Sequence, residues 1–185
     1  MEHSSALFPL RRSGHHRDHG CMTRTAAVSA NGRSFWAYDV SISFLAYEML
    51  VVGREGAPGA WFDHLADSLA AVATVGGDAG LNLEPVVEAD AVEPFAAIAS
   101  EAAVRLGALR AVTKADAELR RIEGWPAIWR DLHGPSMPTA PMVDLANAMI
   151  ELLRGTLPLP PPGTWWYLGL PDGPSMIRMN GGAAV

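Results

Sequence analysis

A single cysteine, Cys21, excludes an intrachain disulfide, so cysteine pairing gives no redox compartment. The chain also lacks a long hydrophobic run. Its longest, 44–52, is interrupted by Glu48 and falls far short of the roughly 18 apolar residues a bilayer span needs. No secretory signal is legible, because 6–10 is too short for an apolar core. Arg11-Arg12 is followed by polar and charged residues at 13–20, which removes a twin-arginine reading. The expectation is a cytoplasmic protein with no membrane partner. There is no Gly-rich phosphate loop, HExxH, GxSxG, CxxC or dinucleotide fingerprint, which counts against the common enzyme classes and implies no cofactor.

Basic residues are scarce through the middle of the chain. Between Asp39 and Glu101 stand eleven acids and one base, Arg54, a local net charge of −10. Between Arg105 and Arg130 the balance reverses to six bases and three acids, a net of +3. An acidic half repels phosphate backbones, so nucleic acid is an unfavourable partner and a basic protein or basic ligand a favourable one. The plainer reading is a solvated acidic surface that maintains solubility.

What is present is enough for one globular domain. A chain of 185 residues buries about 70% of the surface exposed when unfolded, and 49% hydrophobic with 18% charged residues argues against overall disorder. Residues 1–21 read as an unstructured leader and 22–185 as the domain, with Met22 itself a candidate start. The leader holds four of the six histidines. Of these, His15, His16 and His19, with Cys21, are the only cluster of metal-ligating type, suited to zinc, nickel or copper. Gly14 and Gly20 discourage a helix there and no second cluster closes a site, so a solvated tail is the preferred reading.

Within 34–44, Trp36, Tyr38, Val40, Ile42 and Phe44 alternate with small or polar residues, the period of a half-buried strand. Ile42, Leu45, Ala46 and Met49 also share a helical face, so a strand passing into a helix near Phe44 is expected. Trp61, Leu65, Leu69 and Val72 form one stripe of a helix over 60–75, with Asp63 and Asp67 facing away. Residues 81–84 and 86–88 read as a short edge strand limited by Pro85. Phe95, Ile98, Ala102, Leu106 and Leu109 make a helix opened by Pro94. Thr113 and Asp116 resemble a capping box for a helix over 114–123, and a short helix carrying Trp129 follows Pro126. A last helix from Thr139 or Ala140 turns Met142, Leu145, Met149, Ile150 and Leu153 inward, with Gly155 after it.

The Pro-rich stretch 157–163 reads as an extended linker. Its PxxP pattern has Arg154 one position off the spacing of an SH3-type ligand. Pro171-Asp172-Gly173 between two apolar runs signals a hairpin. Gly-Pro-Ser-Met occurs at 134–137 and again at 173–176, but the neighbours do not match and no repeat is inferred. The expected fold is a predominantly helical α+β domain with a small antiparallel sheet that includes the C-terminal hairpin; an all-α fold is the alternative if 35–52 is one helix.

The leading functional expectation is a non-catalytic, acidic protein-binding module in an accessory, regulatory or toxin-neutralising role, with Asp63, Asp67, Trp61, Trp165 and Trp166 as binding residues. The alternative is a small-ligand protein or small enzyme with an aromatic-lined pocket, for which six tryptophans are ample. Its acid–base groups would be His64, Asp67 and His133. His64 follows Trp61 by three residues, near the apolar face, where burial would tune it and Asp67 is within reach. His133 precedes Gly134 at a helix end, where the dipole already favours a cation.

Overall fold

The computed structural model describes residues 25–56, 58–75, 80–119 and 136–178, with the side chain of Val75 outside the description. They form an α+β domain. Strands β1 (Thr25–Ala30) and β2 (Arg33–Tyr38) make an antiparallel hairpin with Val28 opposite Phe35 and Ala26 opposite Ala37. Asn31 (φ 53°) and Gly32 (φ 67°) both take the left-handed backbone that a two-residue primed turn requires. Ala26, Val28, Ala30, Phe35 and Ala37 are buried, whereas Ala27, Ser29 and Trp36 are half-buried, so one face of the hairpin packs on the helices.

The chain enters helix α1 (Asp39–Gly56) directly from β2. Thirteen of its eighteen residues are buried, which makes it the core of the domain rather than a surface helix. It packs against α2 (Ala60–Val75), α4 (Val92–Leu109), α6 (Ala140–Leu153) and strand β2. The expected strand therefore ends six residues early, at Tyr38 instead of Phe44. Over 39–46 every residue is buried, so no solvent face marks the helical period against the alternation. Ser41 and Ser43, which look like the outward positions of a strand, are buried and donate hydrogen bonds to the carbonyls of Gly169 and Val72.

A short strand β3 (Leu81–Asn82) runs into helix α3 (Glu84–Glu88), with Pro85 in its first turn. The expectation of a strand across 86–88 is thus corrected: Pro85 suits the start of a helix, where its missing N–H costs nothing. Helix α4 buries Phe95, Ile98, Ala102 and Leu106 as expected, but Leu109, at the last position, is exposed. Strand β4 (Ala111–Thr113) precedes α5 (Lys114–Leu119). Their junction is the expected capping box: the Thr113 amide and hydroxyl reach the Asp116 carboxylate, and the Asp116 amide reaches the Thr113 hydroxyl. The Trp129 helix and His133 lie outside the described residues. Strand β5 (Ser136–Pro138) pairs with β4 and leads into α6, which buries all five residues assigned to its inner face. After the Pro-rich stretch come β6 (Trp165–Leu168) and β7 (Ser175–Ile177), the expected hairpin, with Gly173 at φ +97°.

The main sheet runs β3-β1-β2-β6-β7. It is mixed, since β1 pairs parallel with β3 and β2 parallel with β6. The β1–β2 turn also terminates α6. Asn31 donates to the Leu153 carbonyl at 3.3 Å, and Arg33 donates to the carbonyls of Gly155 and Leu157. These are carbonyls at and just beyond a helix end, where no intrahelical donor is available.

Gly53 sets the distance between α1 and α2. A Cβ there would lie 2.0–2.7 Å from the ring of Phe62, which is itself buried at the start of α2. Alanine normally strengthens a helix relative to glycine by roughly 0.5–1 kcal/mol, but here the overpacking cost of about 1–3 kcal/mol dominates. Gly53→Ala is expected to lower the urea midpoint of unfolding; an unchanged or raised midpoint would contradict this packing.

Candidate functional site

The corner where α1 ends and α2 begins carries two of the residues singled out above. Gly59 (φ +99°) accepts the Phe62 amide at 3.0 Å, turning the chain so that α2 starts at Ala60. Phe62 points inward onto Gly53, and Trp61 stacks edge-on against it, ring centroids 5.8 Å apart at 81°. With Phe62 rather than Trp61 as the deep anchor, the buried stripe of α2 is Phe62, Leu65, Leu69 and Val72. Asp63 and Asp67, one turn apart, are left exposed on the rim of an open cleft of about 650 Å³. Gly53 and Phe62 line it, and Arg54 joins the two carboxylates there. Asp63 also sits in the first turn of α2, where the helix dipole favours a negative charge.

The same rotation corrects the placement of His64. It is exposed rather than partly buried, it does not line the cleft, and it makes no hydrogen bond or ion pair among the described residues. The proposed His64–Asp67 contact is therefore not formed.

The tryptophans assigned to binding fall in two places. Trp61 is half-buried on α2, while Trp165 and Trp166 are half-buried on β6; among the described residues no ring contact joins them. The Trp166 indole N–H donates to the Pro158 carbonyl at 2.8 Å and its ring lines a second groove, of about 340 Å³, against α6. Among the described residues no three His, Cys, Asp or Glu side chains converge as a metal site. His15, His16, His19 and Cys21 lie outside the description.

The acidic stretch divides by role. Asp39 and Glu48 are buried in α1, and Asp39 accepts the Val40 amide at 2.7 Å. Glu55 and Glu101 share Arg105, at 2.7 and 2.9 Å. Glu93 accepts from two of the three guanidinium nitrogens of Arg154, Nε and Nη2, at 3.0 and 2.7 Å, tying the start of α4 to the end of α6. The hydrogen bond from Arg105 holds the Glu55 carboxyl below its ordinary value, and that from Arg154 does the same for Glu93. Glu84 reaches the amide of Gly32 at 3.4 Å. Asp63, Asp67, Glu88 and Asp90 are exposed and form no ion pair among the described residues. The one-sided charge of the sequence is thus partly internal wiring, and the part left facing solvent includes the α2 rim.

Sequence reasoning missed Gly53 and Arg33, whose roles are long-range. It also missed the β1–β2 hairpin, for which Asn31-Gly32 was the available signal. Compared with protein-family models, curated proteins and solved structures, the chain matches none.

The Glu93–Arg154 pair gives a titration with a definite sign. A lowered carboxyl value stabilises the fold above the ordinary carboxylate range, and that contribution is lost as pH falls through the lowered value. In Arg154→Gln, the Glu93 carboxyl followed by NMR is expected to titrate higher, back near 4.5. An unmoved midpoint would mean that the pair does not form in solution.

Proposed function

We propose that the protein is an acidic protein-binding module that meets a basic partner along the α2 rim, in an accessory, regulatory or toxin-neutralising role. The observation that carries this reading is the pair Asp63 and Asp67: exposed, one turn apart, outside any ion pair among the described residues, and bordering an open cleft. Charges so placed steer an oppositely charged partner and fix its register more than they add affinity. Phe62 packs on Gly53 beneath the rim, and carboxylates carried on a packed helix lose less ordering entropy on binding than groups on a loop. The alternative, a small-ligand protein or enzyme with His64, Asp67 and His133 as acid–base groups, draws support from the cleft through Asp67 alone, since His64 stands outside it.

The test is native mass spectrometry of the protein purified from its host at low salt, followed by titration of the co-purifying partner. A basic protein is expected that dissociates as ionic strength rises from about 0.05 to about 0.5 M, where exposed charges are screened within a few ångströms. Asp63→Asn/Asp67→Asn should weaken the complex about tenfold and flatten its salt dependence. A complex indifferent to both salt and the double substitution would sink the proposal, as would a chain carrying only a small molecule.

A further inference from the structure

The second groove has a chemistry of its own. One wall is helix α6, which presents Asp144, Asn147 and Glu151; the other is apolar and includes Trp166, Pro158 and Pro174. The Trp166 ring is fixed, because its N–H is already committed to the Pro158 carbonyl. Its π face is thus a preset platform and not a free rotor. Asp144 and Glu151 are exposed and in no ion pair among the described residues. They stand seven positions apart on one helix, about 10.5 Å along the axis at 1.5 Å per residue. Three residues of a polyproline II chain span about 9 Å, and its three-residue turn brings side chains three apart to one face.

We infer that this groove seats a segment of a protein in the polyproline II conformation, carrying two basic residues three positions apart with an apolar residue between them. The two cations meet Asp144 and Glu151, and the apolar side chain lies against Trp166 and the prolines. Arginine fits better than lysine, because a guanidinium pairs in a fork with a carboxylate and stacks on an indole face. An open groove of about 340 Å³ suits side chains delivered by a backbone outside it. The inference does not rest on the α2 rim, since Asp63 and Asp67 line a different cleft.

The test uses the full chain and a synthetic eight-residue peptide of this pattern (two arginines three apart, one leucine between), with its glutamate counterpart as control. The readout is the indole N–H resonance of Trp166, identified by its disappearance in Trp166→Phe. The basic peptide is expected to shift this resonance saturably. Asp144→Asn/Glu151→Gln should weaken binding about tenfold, and Asp63→Asn/Asp67→Asn should leave it unchanged. Both substitutions in the first pair are isosteric changes at exposed positions, and the same spectrum reports whether the fold is kept. No shift, an equal shift with the acidic peptide, or binding indifferent to the Asp144/Glu151 change would each overturn the inference. Spermidine moving the resonance as strongly as the peptide would assign the groove to a free amine and overturn the protein segment.

Discussion

Helix α1 can leave water only if its buried polar groups find partners, and its two buried serines are met from outside the helix. A buried hydroxyl with no partner costs roughly 1–3 kcal/mol. Ser43 is satisfied by the Val72 carbonyl of α2 at 3.0 Å, and Ser41 by the Gly169 carbonyl just after β6. Both partners must come close. Gly169 has φ +79°, and a Cβ there would sit 3.0 Å from that of Ser41. Gly53 admits the Phe62 ring in the same way on the other side. The approach of α2 and of the C-terminal hairpin to α1 is therefore set by two glycines and two serines, with apolar burial supplying the driving force.

The surface follows from that arrangement. Because Phe62 fills the space at Gly53, α2 is rotated so that Asp63 and Asp67 face solvent together and His64 does also. Because the Asn31-Gly32 turn and Arg33 hold the end of α6, the Pro-rich stretch is placed beside Trp166. Ion pairs then join the helices at their ends: Arg105 links α4 to α1 through Glu55, and Arg154 links α6 to α4 through Glu93. These pairs are solvent-exposed and add register more than stability.

Elements whose apolar face is bounded by local signals were legible in the sequence. Helix α6 lies between Thr139 and Gly155, α2 follows Gly59, and the Pro171-Asp172-Gly173 turn joins β6 to β7; each carries its own start or stop. The Thr113–Asp116 capping box is equally local. What was not legible depends on neighbours distant in sequence. The helical state of 39–44 is decided by α2 and β6, which provide partners for Ser41 and Ser43. The mixed character of the sheet depends on β1 finding β3 and β2 finding β6. The exposure of His64 depends on which aromatic of Trp61-Phe62 meets Gly53. Of the candidate site, the carboxylates were visible as charges at helical spacing. The cleft beside them was not, because it lies between the end of α1 and the start of α2, whose approach depends on Phe62 meeting Gly53.

The most direct test of α1 as the framework is native-state hydrogen exchange. Amides of 43–53 are expected to exchange only through global unfolding, at the highest free energy in the chain, while the segment 157–163 opens at lower cost. Exchange of α1 amides ahead of those in α4 and α6, through a local opening, would contradict the account. The corner that carries Asp63 and Asp67 would then lose its rigid support.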